Sequence, residues 1–226
     1  MDLKVIATVR TDFPSKFGIP RQSGLADTRG MIVFEPEFRN EDMLRGIEEF
    51  SHLWLIWGFS EHFDKGFSPT VRPPRLGGNE RKGVFATRSP FRPNPLGLSC
   101  VEILKIEHTK DKGIVIHISG VDMLDNTPIY DIKPYLPYVE AHPDAKGGFA
   151  EDKKEYQLKV VIPEKWKSII PEEHLEIIRQ IISQDPRPAY HNDSNRIYGM
   201  EYMEFDIRFQ IDNHTLTVCE VCKKKR

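Results

Sequence analysis

Cysteine is scarce in this 226-residue chain, and the three present, Cys100, Cys219 and Cys222, are too few for a disulfide framework. That scarcity suits a reducing compartment, so cytoplasm is the expected location. No run approaches the roughly 20 apolar residues that a membrane helix needs. The opening MDLKVIATVRTDF alternates apolar and polar residues and lacks the apolar core of a signal peptide. The signatures GxSxG, HExxH and GxxxxGK[ST] are missing. No GxGxxG follows a strand pattern, which excludes a Rossmann dinucleotide site. The eight histidines show no metal-ligand spacing, and Cys219-x-x-Cys222 is half a zinc site without a second pair. Net charge is only −2, so any surface for phosphate must be local.

One local surface of that kind is present. Residues 70–100, TVRPPRLGGNERKGVFATRSPFRPNPLGLSC, set Arg72, Arg75, Arg81, Lys82, Arg88 and Arg92 against a single acid, Glu80. Prolines 73, 74, 90, 93 and 95 and glycines 77, 78, 83 and 97 shape this stretch through the backbone itself. A rigid, cationic, loop-rich segment suits anion recognition, whereas a linker would be Ser/Gly-rich or acidic.

The rest of the chain reads as strands. Alternation predicts strands near Leu3–Val9, Met31–Phe34, Ser99–Ile106, Gly113–Ser119 and Ile129–Ile132. Ser51–Phe59, SHLWLIWGF, is apolar on both faces, as a barrel strand can be, with Gly58 marking a bend. Gly83–Thr87 is expected as a further strand. Asn40 predicts the cap of a short helix with Met43, Leu44 and Ile47 facing inward. Residues 10–22 have neither period and read as a long ordered loop. With so few helices, a single-sheet β-barrel over residues 1–138 is the economical architecture. Residues 139–154 read as a linker. Residues 155–226 read as a small α+β unit of order β-α-β-β, with a helix beginning at Pro171 and strands at Tyr202–Phe209 and Leu216–Val221.

Polar loops carry the candidate chemistry, each with a plainer alternative. Pro20-Arg21-Gln22 can grip a carboxylate and a base edge, or serve as a solvated loop. Arg88 and Arg92 sit in a proline-braced loop, where a merely solvated role explains the rigidity less well. Asp122 and Asp125 flank a turn and can accept from ribose hydroxyls or an ammonium, or act as ordinary turn formers. Asp185-Pro186-Arg187-Pro188-Ala189-Tyr190 offers an acid, a base and an aromatic, or marks a helix stop.

These stretches together resemble one family closely, the TsaA/YaeB-like or TrmO tRNA methyltransferases. The resemblance rests on KFGIPRQ (16–22), FSHLW (50–54), TVRPPRLGG (70–78), GVFATRSPFRPNPLG (83–97), residues 122–137 and QDPRPAY (184–190). It implies a β-barrel homodimer, a C-terminal domain assisting tRNA recognition, and S-adenosylmethionine as cofactor. It implies methyl transfer to N6 of N6-threonylcarbamoyladenosine, beside the anticodon of threonine tRNA. It carries cofactor contacts onto Pro20, Arg21, Gln22, Ser60, Glu61, Arg88, Leu98, Asp122, Met123, Leu124, Asp125, Asn126 and Thr127. Ser60-Glu61 and Asn126 depart from the family's common form; asparagine is the non-glycine residue most at home at φ > 0, so the turn should survive.

Methyl transfer from a sulfonium needs positioning more than a covalent nucleophile. The urea-like target nitrogen calls for a general base or an orienting acceptor. Asp185 or Tyr190 could supply it, with Arg187 holding the threonyl carboxylate or a phosphate. Arg72, Arg75, Arg81, Lys82 and Arg92 are the expected RNA contacts. Two other functions stay open on the residues: a non-catalytic barrel that binds S-adenosylmethionine or RNA, and methylation of a small nucleoside-like substrate.

Overall fold

Period-two burial organises the first half of the chain. In the computed structural model, which describes residues 2–73, 80–153, 156–187 and 193–224, eight strands precede residue 135. They are β1 (Ala7–Thr11), β2 (Arg29–Phe34), β3 (His52–Gly58) and the short β4 (Thr70–Val71) and β5 (Lys82–Gly83). Then follow β6 (Leu96–Thr109), β7 (Gly113–Ser119) and β8 (Thr127–Pro134). Six of them close into an antiparallel barrel in the order β1-β2-β7-β6-β3-β8, with β8 returning to β1. Closure removes the free edges that an open sheet would expose. Ala7, Val9, Ile32, Leu53, Leu55, Ile116, Ile118 and Ile129 fill its interior, each fully buried. β4 and β5 form a separate two-stranded ribbon.

Two features shape one end of the barrel. Trp57 pairs with Gly97 across β3 and β6, and a Cβ at Gly97 would overlap the indole ring. The β3–β8 register shifts between Ile56 and Trp57, a bulge of the kind that re-aims side chains at barrel rims.

A second sheet follows. Short helices α1 (Pro137–Glu140) and α2 (Glu164–Lys167) flank β9 (Lys159–Val161), and α3 (Glu172–Ser183) is the one helix of three turns among the described residues. After it come β10 (Tyr198–Tyr202), β11 (Phe205–Asp212) and β12 (Thr215–Lys223). The sheet order is β10-β11-β12-β9, with β9 parallel to β12. The apolar stripe of α3, Ile177, Ile178, Ile181 and Ile182, buries against Phe205, Ile207, Phe209 and Ile211.

The long loop after β1 belongs to this second core. Phe13 and Ala26 are buried in it, with Phe17 and Ile19 packed alongside. Phe17 stacks on Tyr198 with centroids 6.4 Å apart. Gly18 has φ +97°, and a Cβ there would run into the Met200 thioether. Met203 N–H donates to the Asp12 carbonyl at 2.8 Å, and Gln180 and Asp27 exchange two hydrogen bonds of 2.7 and 2.8 Å. Loop 12–27 therefore docks the second sheet onto the barrel.

Four local expectations are corrected. Asn40 does cap, accepting from Asp42 N–H at 2.9 Å, but the turn it starts is a 3-10 segment, Glu41–Met43, and Met43 is 62% exposed. Three residues make one turn, too short to turn Met43 inward with Leu44. The strand expected at Gly83–Thr87 stops at Gly83, the end of β5, because the chain then coils into a 3-10 turn at Val84–Ala86 closed by Thr87 N–H on the Val84 carbonyl. Tyr202–Phe209 is two strands, divided at Met203, which turns at φ +53° while its N–H serves Asp12. The second unit consequently carries an extra strand beyond β-α-β-β.

Candidate functional site

Where β3 ends and β6 begins, the barrel rim opens into a cleft of about 1980 Å³. Pro20, Arg21 and Gln22 from the docking loop line it, with Ser60 and Glu61 after β3 and Arg88 and Leu98 from the segment entering β6. Asp122, Met123, Leu124 and Thr127 complete that wall from the turn before β8. The barrel thus gathers residues spread across nearly half of the chain. Among the described residues, no three His, Cys, Asp or Glu side chains cluster as metal ligands.

Asp122 supplies the wall's anionic group. Its Oδ1 accepts from Ser99 Oγ at 2.6 Å, and Ser99 Oγ in turn accepts from Trp57 Nε1 at 2.9 Å. Ser99 is fully buried and Trp57 only 6% exposed. Burial pushes the Asp122 carboxyl from its ordinary 3.8 up to about 6, against the Ser99 hydroxyl, backbone N–H groups and the Arg88 charge, which pull it down.

Asp125 and Asn126 have a different environment. Arg10 clamps the Asp125 carboxylate with Nε at 2.9 Å and Nη2 at 3.2 Å, and Thr11 N–H adds a third bond at 2.9 Å. Asn126 adopts φ +64° and donates its N–H to the Val9 carbonyl at 2.9 Å. Neither lines the cleft. Their contacts stitch the turn to β1, which holds Asp122 to Leu124 in position.

In the same cleft, Arg88 donates through Nη1 to Gln22 Oε1. Lys16 pairs with Glu61 at the rim, and that contact, more than any other, holds the Glu61 carboxyl below its usual value. Arg21 reaches away from the barrel, and its Nη2 donates to the carbonyls of Asp185 at 2.9 Å and Arg187 at 3.4 Å.

Asp185 follows α3 at φ +53°. Its carboxylate takes Arg187 Nε and Nη2, each at 2.8 Å, and the Tyr156 hydroxyl at 3.2 Å. Burial raises the Asp185 carboxyl, but the Arg187 clamp outweighs it and leaves the group below its ordinary value. A carboxylate so engaged is a weak base and a good anchor. Such a left-handed aspartate persists because its surroundings over-determine it. Tyr190 and Arg75 lie outside the described residues.

Of the cationic candidates, Arg72 and Arg92 line the cleft, with Arg92 Nη1 donating to the Thr87 carbonyl at 3.2 Å. Arg81 and Lys82 sit at the β4–β5 ribbon, donating to Thr70 Oγ1 at 2.7 Å and Glu80 Oε1 at 2.5 Å. Sequence patterns passed over Ser99 and Trp57. A signal existed, because Ser99 is a polar residue on the inward face of β6, two positions from Val101.

The groups present fit S-adenosylmethionine in kind. Asp122 offers a negative charge to a cation, Arg88 and Gln22 offer donors to a carboxylate, and Trp57, Leu98 and Met123 offer apolar surface to a nucleoside.

Comparison with known proteins agrees with this architecture. A chain from Escherichia coli K12 named tRNA (adenine(37)-N6)-methyltransferase is 38% identical over 215 residues, covering 91% of each chain. One of the same name from Eikenella corrodens is 46% identical over 164 residues, 72% of this chain and 92% of its own. A Pseudomonas aeruginosa chain described as a putative S-adenosylmethionine-dependent methyltransferase is 38% identical over 213 residues, 90% of each. A crystal structure of TrmO from that organism superposes with a TM-score of 0.80 at 33% identity, over 99% of this chain and 97% of that one. The model for the tRNA-methyltransferase O N-terminal domain matches residues 8–141 and that for the TrmO C-terminal domain residues 151–224, so this chain belongs to the tRNA-methyltransferase O family.

Proposed function

We propose that the methyl acceptor is N6 of N6-threonylcarbamoyladenosine beside the anticodon of threonine tRNA, modified in the cytoplasm by a homodimer of this chain. The protein is an S-adenosylmethionine-dependent tRNA adenine-N6 methyltransferase. The observation that carries the finer reading is the Arg21 link between the cleft wall and the Asp185–Arg187 turn. A second cationic group, Arg187, in the turn that Arg21 holds suits an acceptor that bears its own carboxylate.

S-adenosylmethionine supplies the methyl from its sulfonium. Pro20, Gln22, Arg88, Leu98 and, from the turn before β8, Asp122, Met123, Leu124 and Thr127 form the cofactor side, with Ser60 and Glu61 at its rim and Asp125 and Asn126 bracing the turn. We read residues 1–138 as the cofactor domain, 139–154 as the linker and 155–226 as the tRNA-assisting domain. Arg72, Arg75, Arg81, Lys82 and Arg92 meet the RNA backbone, where charge steers and holds without reading sequence. Arg187 receives the threonyl carboxylate or a phosphate. Its bidentate partner Asp185 fixes that fork, and Asp185 or Tyr190 orients the N6 proton.

The deciding experiment supplies labelled S-adenosylmethionine to threonine tRNA with and without the threonylcarbamoyl group. Label is expected on the modified tRNA alone. Equal labelling of both removes the proposed acceptor, and labelling of neither makes the barrel a binding module.

A further inference from the structure

A buried hydroxyl beneath the cleft has a role that the family's contacts do not describe. Ser99 is fully buried on β6, inside a barrel filled mainly by apolar side chains. It accepts from Trp57 Nε1, so its own proton is directed to Asp122 Oδ1 at 2.6 Å. The indole that sets this direction is itself fixed, because Gly97 alone leaves room for it. Three residues on two strands and a turn therefore form a one-way chain of donors that ends on a carboxylate of the cleft.

We propose that Ser99 is a positioning residue for methyl-donor binding, locking Asp122 in place as the fixed negative charge that receives the cation of S-adenosylmethionine. A hydroxyl donating to a carboxylate stabilises its charged form by more than a neutral hydrogen bond does. Without Ser99, a partly buried carboxylate beside an apolar wall takes up a proton more readily. The other groups acting on Asp122 are Arg88 and the backbone N–H groups of Ser23 and Asp122 itself, all of which favour the charged form. Lys16, Arg21, Glu61, His62 and Arg92 line the same cleft. Burial lowers the His62 imidazole from its ordinary value, so its titration must be separated from that of Asp122.

This role depends on the cofactor reading and not on the tRNA substrate, so it is tested with no tRNA present. Calorimetry would measure the Kd of S-adenosylmethionine from pH 5 to 8. Wild-type affinity is expected to fall below a midpoint near pH 6. In Ser99→Ala that midpoint should move up by about one to two pH units, leaving affinity about two- to ten-fold weaker at pH 7. Ser99→Thr, which keeps the donor, should restore the wild-type profile. Asp122→Asn should abolish the step; a step that survives there belongs to His62 and overturns the proposal. S-adenosylhomocysteine keeps the ammonium and lacks the sulfonium. Parallel weakening of both ligands assigns the charge to the ammonium, and weakening of S-adenosylmethionine alone assigns it to the sulfonium. An unchanged pH profile in a folded Ser99→Ala variant overturns the proposal, whatever the tRNA assay shows.

Discussion

Arg21 Nη2 donates to the backbone carbonyl of Asp185 at 2.9 Å, across 164 residues of sequence. Arg21 lines the cleft, and its guanidinium holds the turn that follows α3. Arg21→Met is therefore expected to lower kcat on tRNA by about ten-fold or more, the cost of a charged hydrogen bond. The Kd of S-adenosylmethionine should change by less than about three-fold on the same scale. Single-turnover methylation alongside calorimetry separates the two. A collapse of cofactor binding would mean that the guanidinium serves the cofactor directly.

The Asp185–Arg187 clamp has a signed pH dependence. Because the folded carboxyl sits below its ordinary value, the ion pair stabilises the fold above that value. Its contribution is lost as pH falls through the lowered pKa. Asp185→Asn tolerates the left-handed backbone and is expected to cost about 1–3 kcal/mol at pH 7, with the difference shrinking in acid. Urea titrations at two pH values check this. A kcat close to wild type would remove Asp185 from both the orienting and the anchoring role.

Asp122 behaves in the opposite sense. Its folded carboxyl is raised to about 6, so the ionised buried group costs stability fully above that pH and not at all below the ordinary 3.8. Asp122→Asn should stabilise the protein by about 1–3 kcal/mol at pH 7 and by little near pH 4, as urea titrations at the two pH values would show. The same variant should bind S-adenosylmethionine less tightly, a stability–function opposition typical of active-site charges.

Tyr202 donates to Asp12 Oδ2 at 3.3 Å where the docking loop meets the second sheet. Burial raises the Asp12 carboxyl, and Tyr202 is the leading group that opposes it. Tyr202→Phe should raise it further and cost about 1–2 kcal/mol at neutral pH, fading as Asp12 becomes protonated in acid. A loss that does not vary with pH would mean packing, not the hydroxyl, supplies the effect.

Arg72 and Arg92 stand on the cleft wall, and both belong to the proposed RNA surface. Replacing either with glutamine should weaken tRNA binding and reduce the salt slope by about one ion for each phosphate no longer engaged. Filter binding across a salt series measures it, and an unchanged slope would exclude that residue from the RNA surface.

What the sequence determined by itself is local. The alternation in β6, β7 and β8 and the apolar run of β3 specified strands, and scarce helix specified a closed sheet over an open one. GVFATRSPFRPNPLG marked a rigid arginine-bearing turn without any tertiary information. Tertiary structure decided the rest. Asp122 and Asp125 share one turn and one side-chain type, yet only Asp122 lines the cleft, because Arg10 of β1 captures Asp125. Arg21 serves the second sheet because loop 12–27 is buried in that sheet's core. Ser99 became a candidate only when barrel closure brought it between Trp57 and Asp122. Periodicity is a property of neighbouring residues and survives in any reading of the chain. Which carboxylate meets which partner depends on strand pairing and packing across tens of residues, and no local pattern encodes that.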